Sequence, residues 1–257
     1  MTEFYDRFAP LYDLIFADWD DSMRRQGEFF SREIASRWPQ CRRILDVSCG
    51  IGTQSIAMAR RGYGVTASDI SPAAIARART EAAARGLNVA FSVCDMRKAF
   101  LHHAGGFDVV MSCDNSVPHL QTNADISTAF GQMLNCLRPG GGCILTVRDY
   151  ARETRGRGII KPMRCATRDG TRYVLTQVWD FDDDGTHYDY TTYVIEDRNT
   201  EDDVVAHAMR SRYYAIDTDA LLGLMRDAGF QDVECLAEGF YQLFSSGPGP
   251  LLSDRRE

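Results

Sequence analysis

The stretch Ile44-Leu45-Asp46-Val47-Ser48-Cys49-Gly50-Ile51-Gly52-Thr53 decides the fold. Residues 43–47 form a short apolar run that reads as a buried strand. Gly50 and Gly52 then make a tight turn, and a helix begins near Thr53. Glycine tolerates φ > 0 and lets a ligand approach the main chain. The first N–H groups of the following helix have no partner inside it. Turns of this build bind nucleotides. The dinucleotide fingerprint G-x-G-x-x-G is absent, because the first glycine is missing and Thr53-Gln54-Ser55 stands where the third belongs. The phosphate-loop pattern G-x-x-x-x-G-K-[ST] is absent as well. An ordinary strand–turn–helix is the plainer alternative.

Four further apolar runs follow, and each ends in a polar group. Residues 63–68 end in Asp69, which is placed to accept hydrogen bonds from both hydroxyls of a ribose. Capping the helix that starts at Ser71-Pro72 is a second role, compatible with the first. Residues 89–93 lead into Cys94-Asp95-Met96, residues 107–111 into Ser112-Cys113-Asp114-Asn115-Ser116, and residues 143–147 into Arg148-Asp149-Tyr150. Helical stretches lie between them: 72–85, closed by Gly86, and 124–137, stopped by Arg138-Pro139-Gly140. Residues 95–106 read as a loop carrying His102 and His103 on the surface. Apolar strands alternating with helices imply an α/β fold with a doubly wound, mostly parallel sheet. Ligands of such sheets sit at the carboxyl ends of the strands, which here carry Asp46, Asp69, Asp95, Asp114 and Asp149 along one rim.

The turn Asp46-Val47-Ser48-Cys49-Gly50-Ile51-Gly52, taken with these strand ends, resembles the motifs of class I S-adenosylmethionine-dependent methyltransferases. The resemblance implies a seven-stranded Rossmann-like sheet, S-adenosylmethionine as cofactor and S-adenosylhomocysteine as its product. It carries cofactor contacts onto Asp46, Ser48, Gly50 and Gly52 in the turn, onto Asp69 and Ile70, and onto Cys113. Asp95 would meet the adenine amino group and Met96 would pack on the ring. Four segments in order resemble the glycine, sarcosine and dimethylglycine N-methyltransferases: 113–120, Arg148-Asp149-Tyr150, Asp189-Tyr190-Thr191 and Arg212-Tyr213-Tyr214. In that branch the residues matching Tyr12, Trp19 and Arg25 meet the cofactor, with Arg24 the alternative to Arg25. Those matching Tyr190 and Tyr213 or Tyr214 line the acceptor pocket. One position departs: the glycine enzymes have an asparagine where this chain has Asp149. A carboxylate there opposes an anionic amino acid and favours a cationic amine or an N–H donor.

Outside the core, residues 1–40 form an aromatic-rich helical cap, with Asp21-Ser22 opening a helix that stops before Pro39. Most of its aromatics serve to cover the sheet. Residues 41–149 are the cofactor-binding core. Residues 150–205 read as a β-rich insertion, with 172–181 and 187–195 as an antiparallel hairpin over the active site. Residues 206–246 return to the core, and 247–257 read as a disordered tail.

Composition excludes several classes. The chain has 257 residues, a net charge of −7 and only two lysines, Lys98 and Lys161. With no basic run, it is not expected to bind nucleic acid. Its eight cysteines are scattered with no C-x-x-C pair, as expected for free thiols in a reducing cytoplasm and not for a zinc site; no metal is expected. The N-terminus is not a secretion signal, and no apolar run approaches the ~20 residues that span a bilayer. The expected partner is a small-molecule methyl acceptor, with a homo-oligomer left open.

Methyl transfer is an in-line displacement in which alignment and desolvation are the enzyme's main tasks. A nitrogen nucleophile on an amine or N-heterocycle is the first expectation. Asp149, His119 and Asp114 are the candidate bases, and Asn115, Tyr150, Trp179, Tyr190, Tyr213 and Tyr214 the candidate acceptor contacts. Transfer to oxygen or carbon, and cofactor binding without turnover, are the alternatives.

Overall fold

A computed structural model of the protein describes residues 2–198, 203–238 and 241–245. Its centre is β1 (Arg43–Asp46), in which Ile44, Leu45 and Asp46 have almost no exposure. A strand buried on both faces belongs in the middle of a parallel sheet. It pairs in parallel with β2 (Gly64–Asp69) on one side and β4 (Phe107–Ser112) on the other. β3 (Ala90–Val93) extends the sheet beyond β2, and β5 (Leu137–Arg148) extends it beyond β4. β10 (Glu234–Glu238) and β11 (Tyr241–Ser245) complete the order β10-β11-β5-β4-β1-β2-β3, with β11 antiparallel to both neighbours. The direction of sheet growth reverses between β1 and β4, and their carboxyl ends part there to leave a crevice.

Helices cover both faces. α2 (Trp19–Arg37), α3 (Thr53–Arg60) and α4 (Pro72–Ala84) bury Met23, Ile34, Ile56 and Ile75 against Ile44, Met111 and Ile144. α5 (Ala99–His103), α6 (Asn123–Cys136) and α7 (Thr218–Asp227) pack on the opposite face over Leu45, Val110 and Leu145. The helices start where a side chain can accept an orphan N–H. Asp18 accepts from Asp21 N at 2.9 Å, Thr122 from Asp125 N at 3.1 Å and Asp217 from Ala220 N at 2.7 Å.

Several expectations need correction. The N-terminal stretch is not one continuous helix: α1 (Thr2–Phe8) gives way to a 3₁₀ turn over Ala9–Ile15. Pro10 lacks the N–H that an α-helix would need. The expected loop 95–106 contains a 3₁₀ turn at Met96–Lys98 as well as α5. The expected hairpin is the inner pair of a four-stranded antiparallel sheet: β6 (Ile159–Arg168), β7 (Thr171–Phe181), β8 (His187–Asp197) and β9 (Val204–Tyr214). Residues 206–214 therefore belong to this second sheet and not to the core. The register from His187↔Tyr214 to Asp197↔Val204 is unbroken, and it gives β8 the partner that an isolated hairpin lacks. The expected tail, 247–257, lies outside the described residues.

Candidate active site

The glycine turn makes a cradle. Gly50 has φ +52° and Gly52 φ +96°. A Cβ built on Gly50 would meet nothing within 4 Å, whereas one on Gly52 would press on Ile56 at 3.0 Å. Gly50 is thus open toward a ligand, and Gly52 allows close packing of the turn on α3. Gly50 N donates to Asp69 Oδ2 and Ser71 N to Asp69 Oδ1, both at 2.9 Å. These bonds fix the Asp69 carboxylate beside the turn. Ser48 sits over the β1–β4 crevice, its Oγ 2.8 Å from Ser112 Oγ.

Three carboxylates converge here, Asp46 buried and Asp69 and Asp114 half-buried. Asp46 accepts from Ser55 Oγ at 2.7 Å and Ser48 N at 3.2 Å. Burial pushes its pKa up to about 7, against those hydrogen bonds and helped by the charges of Asp69 and Asp114. Burial also raises Asp69 and Asp114. Asp114 accepts from Gln54 Nε2 at 2.7 Å, and the same amide donates to Gln26 Oε1 at 2.6 Å. Among the described residues none of the three carboxylates has a Lys or Arg partner within salt-bridge distance. Acids set this close, with Asp46 raised by the charges of the other two, call for a cationic ligand. A sulfonium-bearing amino acid with a ribose diol supplies the charge and the donors these groups lack, so the residues fit S-adenosylmethionine. No group of His, Cys, Asp or Glu that could hold a metal ion occurs among the described residues.

A small cleft of 40 Å³ lies beyond β2 and β3, lined by Val47, Ile70, Cys94, Asp95, Met96, Arg97, Ser116, His119 and Leu120. It is mostly apolar, as an adenine ring requires. The carboxylate of Asp95 faces Arg97 at 2.6 Å, and that guanidinium outweighs burial to hold Asp95 below the usual range.

The larger cavity, 330 Å³, opens between the N-terminal segment and the inner face of the second sheet. Phe4, Tyr5, Phe8, Tyr12, Trp179, Tyr188, Tyr190 and Tyr213 give it aromatic walls. Asp114 and Asn115 reach it from the end of β4, Arg148 from the neighbouring end of β5, and Lys161 and Gln177 from the second sheet. The rings of Tyr190 and Tyr213 stack at 4.8 Å and 15°. Arg148 and Lys161 lie over the Trp179 ring at 4.9 and 4.8 Å. Both also hold the buried Glu153 carboxylate, at 2.7 and 2.6 Å. Glu153 thus ties the two cations together on this wall.

Asp114 and Asn115 adopt φ of +42° and +52° in succession. Two non-glycine residues in the left-handed region store strain that their surroundings must hold. Asp114 N donates to Thr146 Oγ1 at 2.8 Å, Arg148 N to Asn115 Oδ1 at 3.0 Å, and Asn115 Nδ2 to Tyr150 Oη at 2.8 Å. His119 is buried; Tyr5 Oη lies 2.7 Å from its Nε2, and its ring packs 4.0 Å from Tyr213. Burial lowers its pKa to about 3, so the imidazole is neutral.

The structure brings together most of the residues expected from sequence, and it turns some away. Tyr12, Asp114, Asn115, Trp179, Tyr190 and Tyr213 line the larger cavity. Asp149 does not. Its carboxylate caps the next turn, accepting from Ala151 N at 3.1 Å, and pairs with Arg152 at 3.3 Å. Arg25 lies on the exposed face of α2, paired with Asp21 at 2.7 Å, and Arg24 pairs there with Asp21 and Glu28. Both guanidinium groups are thus held on the surface of α2, whereas the linked amides of Gln26 and Gln54 reach Asp114. Trp19 donates to Thr53 Oγ1 at 3.0 Å, beside the turn. Cys113 is buried behind it. Tyr150 is buried beneath the cavity as a partner of Asn115, and Tyr214 stacks on His187 outside it. Tyr5, Tyr188, Arg148, Lys161 and Gln177 were missed as cavity residues. Tyr188 had a signal, since it shares a strand face with Tyr190. Lys161 had none, because its strand alternates poorly.

Comparison with known proteins agrees with this geometry. Residues 44–141 match a methyltransferase domain family. The chain belongs to the class I S-adenosylmethionine-dependent methyltransferases. It is 29% identical over 148 residues to a glycine/sarcosine N-methyltransferase of Halorhodospira halochloris, covering 58% of this chain and 54% of that enzyme. It is 33% identical over 175 residues to a ubiquinone biosynthesis O-methyltransferase of Caulobacter vibrioides, covering 67% and 64%. The chain thus spans little more than half the length of the first of these relatives. In fold it resembles CalS10, an amino pentose methyltransferase from Micromonospora echinaspora solved with S-adenosylmethionine bound, with a TM-score of 0.75 at 19% identity, over 88% of this chain and 92% of that one. No helix among the described residues is long and apolar enough to cross a membrane.

Proposed function

We propose that this protein binds S-adenosylmethionine across the glycine turn and transfers its methyl group to a nitrogen of a small acceptor held in the aromatic cavity. The observation that carries this is Asp114, which lines the aromatic cavity, accepts from Gln54 and faces the charge of Asp46 on the side of the glycine turn. Gly50, Asp69 and the 95–96 cleft hold the nucleoside, and Asp46, Gln26 and Gln54 serve the amino acid end. When bound, the cofactor supplies an electrophilic methyl group.

The chain's own tasks are to orient a lone pair and to exclude water. The cage of Tyr5, Tyr190 and Tyr213 positions the nitrogen, since phenol oxygens accept its N–H bonds. His119 fixes Tyr5 through the 2.7 Å contact and does not itself titrate near neutrality. Asp114, with its raised pKa, is the group placed to take a proton from the acceptor nitrogen. With Asp149 turned away, Asp114 is the carboxylate of the candidate bases that lines the cavity. A cavity of 330 Å³ suits a small acceptor.

The test is incubation with methyl-labelled S-adenosylmethionine and a panel of amino acids, amino sugars, N-heterocycles and phenols, read by mass spectrometry. Label on nitrogen supports the proposal. Label confined to a phenol oxygen replaces it with the chemistry of the Caulobacter relative. Bound cofactor with no transfer to any class moves the chain to a non-catalytic role.

A further inference from the structure

The carboxylate of Asp95 is the charged acceptor in the small cleft beyond β2 and β3, and Arg97 occupies most of it. The backbone N–H of Arg97 donates to Asp95 Oδ1 at 2.9 Å. Its Nε lies 3.1 Å from both carboxylate oxygens, and its Nη2 donates to Oδ2 at 2.6 Å. Among the described residues no other group donates to this carboxylate. An ionised carboxylate offers about four acceptor sites, so these three N–H groups leave room for one more donor. The far side of the guanidinium is anchored as well. Nη1 donates to Asp125 Oδ1 at 2.8 Å. Asp125 is itself fixed in the first turn of α6, where its N–H donates to Thr122 Oγ1 at 3.1 Å and its Oδ2 accepts from that hydroxyl at 3.0 Å. A planar guanidinium gripped by two acids cannot turn without breaking one of the pairs. Burial alone would raise the Asp95 pKa; the hydrogen bonds and charge of Arg97 outweigh it and keep the carboxyl ionised.

We infer that Arg97 is a positioning residue for base specificity: it aims the Asp95 carboxylate so that the cleft accepts an amino purine and rejects an oxo purine. The inference rests on the reading that this cleft holds the nucleoside. An exocyclic amino group brings an N–H to the one acceptor site that Arg97 leaves open. An oxo group in the same place brings only lone pairs, and an ionised carboxylate has no proton to offer it. A site built to hydrogen-bond a ligand group rejects the analogue that lacks it, because its own polar atom is then left unpaired. That rejection is only as strong as the carboxylate is fixed. A half-buried Asp95 that could swing away, or take up a proton, would no longer oppose the oxygen. Arg97 closes both routes, the first by its grip on two acids and the second by its charge. Asp125, outside the cleft, takes part through Arg97 alone.

The experiment is calorimetric titration of the full chain with S-adenosylhomocysteine and with S-inosylhomocysteine, which carries an oxo group in place of the amino group. The ratio of the two affinities cancels every contact outside the base. The parent chain should favour the adenine compound by about tenfold or more, the scale of one hydrogen bond to a charged group. In Arg97→Leu the ratio should fall toward unity. Arg97→Lys keeps the charge without the fork and should restore part of it. Asp125→Ala should lower the ratio by less than Arg97→Leu, and it carries the test if Arg97→Leu does not fold. A ratio that stays at the parental value in these variants, with both affinities falling together, makes Arg97 a structural tie to α6 and overturns the inference. A parent chain that binds both compounds equally overturns it at Asp95. A parent chain that binds neither overturns the nucleoside reading of the cleft, and the inference with it.

Discussion

At the scale of single residues, Asp69 and Asp46 make different predictions from the same environment. Asp69 is held by two backbone N–H groups, and the role we propose for it is to present a carboxylate to a diol. Asp69→Ala should weaken S-adenosylmethionine binding by about 1–3 kcal/mol in a calorimetric titration, because the ligand hydroxyls lose their acceptor. Unchanged affinity would remove Asp69 from the ribose. Asp46 is a titrating group. Its folded pKa of about 7 lies above the unfolded value of about 3.9, so the cofactor-free folded chain holds a proton that the unfolded chain has released. Stability from this group therefore falls as pH rises from about 4 to about 7, by on the order of 4 kcal/mol. A cationic cofactor favours the ionised form, so its affinity should rise between pH 6 and pH 8. Both slopes should flatten in Asp46→Asn, measured by denaturant titration and by calorimetry. The acids of the glycine turn were legible in the sequence, because motif spacing alone sets them on the strand ends. The aim of Asp149 was not. Whether a side chain after a strand turns inward or caps the next turn depends on the backbone there, and Ala151 N offers the nearer partner.

At the scale of elements, the wall of the acceptor cavity depends on one buried carboxylate. Glu153 follows β5, and its oxygens divide between Arg148 of β5 and Lys161 of β6. Burial raises its pKa, but the two cations outweigh burial and hold it below the ordinary value. The stabilisation is therefore fully present above the unfolded pKa and disappears as pH falls through the folded one. Glu153→Gln should cost about 3 kcal/mol at pH 7, since it leaves two cations facing each other over Trp179. The difference from the parent should vanish in urea titrations at low pH. A loss that persists at low pH would mean that packing, not charge, is what Glu153 contributes. The strands on either side show what periodicity reveals. β7 and β8 alternate cleanly and were readable as a pair. β6 was not, because Pro162 and the register shift between Pro162 and Arg164 interrupt its alternation. β9 was readable as a strand yet assigned to the wrong sheet, since alternation states that a strand exists and not which strand it pairs with.

At the scale of the molecule, the N-terminal segment joins what are otherwise two sheets with separate duties. Asp6 accepts from Ser71 Oγ at 2.6 Å at the start of α4, two residues after Asp69. Tyr5 meets His119 at 2.7 Å, and Phe4 packs edge-on to Tyr190 of the second sheet at 5.1 Å. Tyr12 lines the cavity on its way to α2. A short helix and a 3₁₀ turn have few backbone bonds of their own, so their order comes from these contacts. Cofactor binding neutralises the acids at the crevice and should tighten the segment that closes over it. Hydrogen exchange should then show residues 2–15 gaining protection on addition of S-adenosylmethionine. α6 and α7, packed on the far face of the sheet, should change little. Tyr5→Phe removes the hydroxyl at His119 and keeps the ring, so it should reduce that gain without abolishing it. Equal protection across α1, α6 and α7 would indicate a general stabilisation by ligand mass action. It would also deny the N-terminal segment the closing role that its contacts assign to it.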